Sequence, residues 1–292
     1  MRAIFVFILF VVLAFLCGAV LAYPLKLLLD PALGLAYRKY LTYATMISGL
    51  ILSGIYLQIY NLLSFNAFGY SQGFGKFVKG MFNGFVYGMI IMLMIELVLF
   101  LLGIHKLDPT RDYSFDAVVL LFVKAILAGL LIGLIEESIF RGALFTGLYR
   151  KTNAVITVFF TALVYSTVHF IRYRDLADES TASWFTGFTL MPEAFRRFYE
   201  WNIADYFLTL FIFGILLGLL RLKHKSIAAC VGAHAGIVML IKVADYFTNR
   251  TYNSNYECLV SQYNSTFGWI SFVVILLFTI FYLIKLLPKQ KL

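Results

Sequence analysis

Apolar residues run along this chain in eight long blocks separated by shorter polar stretches. The blocks cover approximately 3–23, 43–64, 82–104, 116–140, 154–172, 205–221, 226–246 and 267–287. Each is near the roughly 20 residues that a helix needs to cross a hydrocarbon core. The pattern predicts an all-α polytopic membrane protein of about eight transmembrane helices, with helices 4–7 forming a central bundle. Residues 1–115 would hold helices 1–3, residues 116–246 the core of helices 4–7, and residues 247–292 a loop and helix 8. The first block follows Arg2 in the manner of a signal peptide. Its apolar run exceeds the about 7–15 residues usual there, and no cleavage pattern follows, so an ordinary span is expected. The longest polar stretch, 173–204, contains "PEAFRRFYEW"; its mixture of charges and aromatics predicts a short interfacial helix.

Composition fixes the solvent. Hydrophobic residues make up 62% of the 292 and charged residues 13%, with a mean hydropathy of +0.87. Soluble domains carry about 25% charged residues, so an integral multi-pass protein in contact with membrane lipids is expected. The host membrane would be a bacterial or archaeal inner membrane, or the endoplasmic reticulum of a eukaryote. Lys and Arg number 24 against 15 acids, a net charge of +9. They are scattered over many short loops rather than gathered in a patch, which suits anionic headgroups and excludes nucleic-acid binding. The loops on one side are short and free of acids, while the acids outside the spans fall on the other side; both termini are therefore expected on the inner side. Cys17, Cys230 and Cys258 have neither metal spacing nor a disulfide framework.

Against this background, ionisable groups inside apolar blocks stand out. "LLIGLIEESIFRGALF" (130–145) carries Glu136, Glu137 and Arg141. A charge at mid-bilayer costs roughly 2.5–3.5 kcal/mol even on the lenient insertion scale. Glu137 and Arg141, at i,i+4 with the acid first, are expected to pair. Glu136 points about 100° away around the helix and is left for function. Its candidate partners are His169 and His234, the two histidines within apolar blocks. Glu136 precedes the tight turn at 150–153 by about 15 residues and His169 follows it by about 16, so at 1.5 Å rise per residue both lie roughly 22–25 Å from it. A carboxylate and two imidazoles at one depth can activate water and bind an oxyanion. They also make a competent zinc set. Cys230, one turn before His234, allows a Cys–His nucleophile, but packing is the better reading of a small cysteine in this setting.

Other intramembrane groups have blander readings. Glu96 and Lys124 are expected to pair across helices, and Lys242 with Asp245 locally. Gly129, Gly133, Gly142, Gly214, Gly218, Gly232 and Gly236 are expected to let helices approach closely.

"EESIFR" (136–141) resembles the EExxxR motif of the CPBP intramembrane proteases, the CAAX-protease and bacteriocin-processing family. "YSTVH" (165–169) is similar to the second motif, with Tyr165 where phenylalanine is usual. "HAGIV" (234–238) is similar to the third, with Val238 in place of the usual asparagine, so a polar donor would come from Ser166, Thr167 or Tyr165. The resemblance covers roughly 118–245 and implies an endopeptidase acting on a membrane-anchored or lipidated peptide or protein. Glu136, His169 and His234 would be catalytic, and Glu137, Arg141 and Tyr165 supporting. It leaves both a metal-free and a zinc-dependent reaction open, the zinc ligands being Glu136, His169 and His234. The absence of a carboxylate near either histidine in sequence leans toward no cofactor. Two alternatives are a catalytically inactive relative serving as a scaffold or immunity protein, and a proton-coupled transporter, for which no inverted repeat is visible.

Overall fold

The computed structural model describes residues 2–251 and 255–286. Position 287 of the eighth block, and residues 252–254 and 287–292 of the expected C-terminal segment, lie outside the described residues. The chain forms two compact units, Met1–Leu63 with Thr167–Trp201 and Ser64–Ser166 with Asn202–Leu292.

In the first unit, α1 (Arg2–Leu33) and α2 (Tyr37–Ile59) form an antiparallel pair. The chain reverses at Gly34, whose φ of 54° is the left-handed region open to glycine. Tyr40 closes the turn by donating its hydroxyl to Asp30, 2.9 Å away. Phe15, Ala22, Tyr37, Leu41 and Ala44 of the pair bury Tyr173, Leu190 and Ala194 of the polar segment. The segment is pinned by Glu179, which accepts from the Tyr37 amide at 2.8 Å and pairs with Lys26 at 3.4 Å. The expected interfacial helix is a 3-10 helix, Pro192–Tyr199, preceded by the short α7 (Thr186–Leu190). It buries Ala194 and exposes the aromatics that follow, Tyr199 and Trp201.

The second unit is built around α9 (Ala228–Phe247), whose residues 228–237 are all buried. Its N-terminal half, "AACVGAHAGI", has almost no large side chains, so neighbouring helices approach at backbone distance. Against α3 (Phe74–Leu101), glycines from both helices make the contact. Gly84 and Gly88 face the carbonyls of Ala229 and Ala233, and Gly232 and Gly236 face those of Met81 and Phe85. Against α4 (Phe115–Glu137), a Cβ at Gly129 would lie 2.6 Å from the Ala235 carbonyl, and one at Gly133 2.9 Å from that of Val231. On α8 (Ala204–His224), Gly214 and Gly218 press on Ala162 and Val158. The final helix, α10 (Trp269–Leu286), packs on α8 and α3.

Among the described residues, seven helices are long and apolar enough to cross a membrane by length and composition. The fold is an all-α, multi-pass membrane architecture. Where the fifth span was expected over 154–172, α6 covers only Ala154–Val168. Its 15 residues rise about 22 Å, short of the roughly 30 Å of a hydrocarbon core. The backbone beyond it turns to other partners, the Arg172 amide donating to the Ala194 carbonyl.

The expected Glu96–Lys124 pair is not formed: Lys124 is exposed on α4. Glu96 instead accepts from His105 Nδ1 at 2.8 Å, while His105 Nε2 meets the Ser265 carbonyl at 2.9 Å. His105 belongs to β1 (His105–Leu107), which pairs antiparallel with β2 (Thr248–Arg250), His105 opposite Arg250. Asp245 accepts from Ser265 Oγ at 2.9 Å. Two acceptors on one ring require both nitrogens to donate, so His105 and Glu96 form a partly buried ion pair. Burial alone would lower the His105 pKa; the bond to Glu96, that carboxylate's charge, the Ser265 carbonyl and Asp245 outweigh it and hold the pKa above its ordinary value.

Candidate active site

Phe115 to Tyr149 is one continuous 35-residue helical stretch. Its middle, Ser138–Leu144, is π-helical, and α5 (Phe145–Tyr149) completes it. π-Helical turns are rare and concentrate at functional sites, where the added residue re-aims the side chains around it. The acid pair stands immediately before this turn and Arg141 within it.

Glu137 and Arg141 pair as their spacing predicts, with Arg141 Nη1 donating to Glu137 Oε1 at 3.1 Å. Both side chains are fully buried. Arg141 also donates through Nη2 to the Gly214 carbonyl of α8 at 3.1 Å. Its guanidinium carbon lies 4.5 Å from the centre of the Tyr165 ring, a cation–π contact.

His234 completes the centre from α9. Its Nδ1 is 2.9 Å from the same Glu137 Oε1. That oxygen, already bound to Arg141, acts as an acceptor, so Nδ1 carries a hydrogen and the ring is oriented by Glu137. Nε2 points toward Glu136, whose Oε2 is 3.9 Å away. The ring is held edge-on by Tyr165 and Phe213, with centroid distances of 6.2 and 5.8 Å. The local reason for this meeting is Gly133, one turn before Glu137 on the same face. A Cβ at Gly133 would sit 3.4 Å from His234 Cβ, so the absent side chain is what brings His234 onto the acid pair. The side chain of Glu136 is 28% exposed, against none for Glu137. The two glutamates thus have different surroundings despite being adjacent in sequence.

Tyr165 is buried in this centre, whereas Ser166 spends its hydroxyl on the Leu163 carbonyl at 3.0 Å. Cys230 donates its thiol to the Leu217 carbonyl at 3.2 Å and is a packing residue. His169 follows the last residue of α6 and, with Thr167, belongs to the first unit. The centre described here is therefore that of Glu136, Glu137, Arg141, Tyr165 and His234. Sequence reasoning missed Glu137 as the partner of His234: the carboxylate that His234 lacks near it in sequence is supplied from α4, 97 residues away. The requirement that a working imidazole be oriented by an acid was the signal available.

Catalytic zinc sites take three protein donors and leave a position for water. In this unit Glu136 and His234 Nε2 face each other, while Glu137 is committed to Arg141 and Nδ1. Among its described residues no group of three His, Cys, Asp or Glu stands close enough to share an ion. Glu136 and His234 supply two donors, so a zinc ion held here would need a third from elsewhere.

Fold and site together define a multi-pass membrane protein with an acid–histidine centre enclosed by its helices. Residues 118–240 match the family model described as type II CAAX prenyl endopeptidase Rce1-like. The match covers under half of the chain and agrees with the resemblance to the CAAX proteases that its motifs carry. It runs from α4 into α9 and contains all six residues singled out from the sequence. No curated protein and no solved structure matches the chain.

Proposed function

We propose that the protein hydrolyses a peptide bond in a membrane-anchored or lipidated substrate, using a water activated by Glu136. The observation that carries this reading is the placement of His234 between the two glutamates. Glu137 fixes the imidazole, and its other nitrogen faces the more exposed carboxylate. Two groups 3.9 Å apart both come within about 2.8 Å of one water lying beside the line that joins them. Glu136 takes a proton from that water as its oxygen attacks the scissile carbonyl carbon. The charge moves to the carbonyl oxygen, and when the C–N bond breaks Glu136 returns the proton to the leaving nitrogen. Tyr165 is the hydroxyl of this unit assigned to the oxyanion, and the family resemblance adds His169 as a second imidazole.

The test is cleavage of a prenylated C-terminal peptide by the purified protein in detergent. Wild type is compared with Glu136→Gln, His234→Ala, His169→Ala and Tyr165→Phe, with and without a chelator. Loss of the general base is expected to lower kcat by about 10²–10⁴-fold, and chelator to leave the rate unchanged. Undiminished cleavage by Glu136→Gln refutes the mechanism. Chelator-sensitive cleavage restored by zinc replaces it with the metal-dependent one. A wild type inert toward prenylated and other membrane-anchored peptides supports the scaffold reading, which the valine at 238 favours.

A further inference from the structure

Residue 141 is held twice by the same face of α8. Its side chain donates to the Gly214 carbonyl, and its own carbonyl accepts from Arg221 Nε at 2.9 Å. Residues 214 and 221 are two helical turns apart and lie one above the other. The Arg141 carbonyl sits inside the π-helical turn. Arg221 reaches further: its Nη2 is 3.4 Å from Thr146 Oγ1, which donates to the Ala67 carbonyl at 2.6 Å. Its guanidinium carbon lies 5.7 Å from the centre of the Phe145 ring. The loop before α3 is shaped around it. Gly69, at φ 83°, leaves space that a Cβ would fill at 3.2 Å from the Arg221 guanidinium, and its carbonyl accepts from the Ile227 amide.

An arginine near the end of an apolar helix would ordinarily extend its charge to the headgroups, as Lys225 can from its exposed position. Arg221 turns inward instead and spends its guanidinium on a main-chain carbonyl of the turn that carries the acid pair. We infer that Arg221 is a positioning residue of the hydrolytic centre. By fixing the Arg141 main chain it sets the pitch of the π-helical turn, and through it the spacing of Glu136 and Glu137 from His234. The inference rests on the hydrolytic reading for its kinetic consequence but not for its structural one.

The test uses the full-length protein in detergent with Arg221→Met and Arg221→Lys. Three quantities are read: kcat and KM for the prenylated peptide, the thermal midpoint, and the nitrogen NMR shifts of the His234 ring, assigned by comparison with His234→Gln. Arg221→Met is expected to lower kcat by up to about 10²-fold, the scale of a displacement of about 1 Å in a catalytic group, with KM little changed. The His234 ring shifts are expected to move. Arg221→Lys, which keeps a donor, restores part of both. A variant that melts earlier but keeps the wild-type kcat per folded molecule and unmoved His234 shifts overturns the inference. If the wild type cleaves nothing, the hydrolytic reading fails separately, and the ring shifts alone decide whether Arg221 positions the centre. If Arg221→Met does not fold, Arg221→Lys carries the same readouts.

Discussion

Removing the Glu137 carboxylate tests the centre where its energetics are most exposed. Glu137 and Arg141 are both fully buried, and a single glutamate oxygen accepts from the guanidinium and from His234. Glu137→Ala leaves a buried cation without its counter-charge, a change that costs about 3–5 kcal/mol. It also strips the His234 Nδ1–H of its acceptor, adding about 1–3 kcal/mol for an unsatisfied buried donor. The sum, roughly 4–8 kcal/mol, is an upper bound, because the Gly214 carbonyl and the Tyr165 ring continue to hold Arg141. The double variant Glu137→Leu/Arg141→Met removes both charges and keeps most of the volume. It is expected to be more stable than Glu137→Ala, because apolar replacement of a whole buried pair is often neutral. Equilibrium unfolding in detergent, run as a double-mutant cycle, reads the coupling directly. A Glu137→Ala protein within about 0.5 kcal/mol of wild type, or a cycle with no coupling, would show that the ion pair does not anchor the centre.

Four further outcomes are expected. The His105–Glu96 pair holds the His105 pKa above its ordinary value. Its stabilisation is therefore fully present below the unfolded pKa of about 6.5 and is lost as pH rises through the folded value; the thermal midpoint of wild type should fall more steeply above neutrality than that of His105→Asn. Gly232→Ala places a methyl group against the Met81 carbonyl and should destabilise by about 1–3 kcal/mol. Gly54→Ala, which meets nothing within 4 Å in α2, should be neutral or stabilising by up to about 1 kcal/mol in the same melt. In a detergent dye-binding assay, Thr146→Val should loosen the loop around Gly69 and make a buried cysteine such as Cys230 label faster, with an unchanged labelling rate counting against a structural role for the Arg221–Thr146–Ala67 chain.

Much of the site was legible because its rules are local. The i,i+4 pairing of Glu137 with Arg141 follows from helical spacing, and the small residues at 129, 133, 214, 218, 232 and 236 announce close helix contacts by their size alone. Glu96 shows where locality ends. Its partner is His105, nine residues on and past the end of α3, brought back by a two-stranded ladder that no periodicity announces. The end of α6 was likewise hidden, since apolar residues continue past Val168 while the backbone tightens at Phe170 and Ile171 and leaves the helix at the Arg172–Ala194 bond.

The sequence by itself determined the solvent, the helices and the identity of the ionisable groups, because burying charge in hydrocarbon is costly enough for each exception to carry meaning. Only the tertiary structure decided which glutamate does what. Glu137, which the sequence assigned to Arg141 alone, also orients His234, because Gly133 lets α9 approach α4 at backbone distance. Glu136 gains its place facing Nε2 from that approach and from the π-helical turn that Arg221 and Gly214 hold from α8. Spacing along one helix fixes which side chains share a face. Which group on a second helix they meet depends on how closely the two backbones pack, and no local rule specifies that distance.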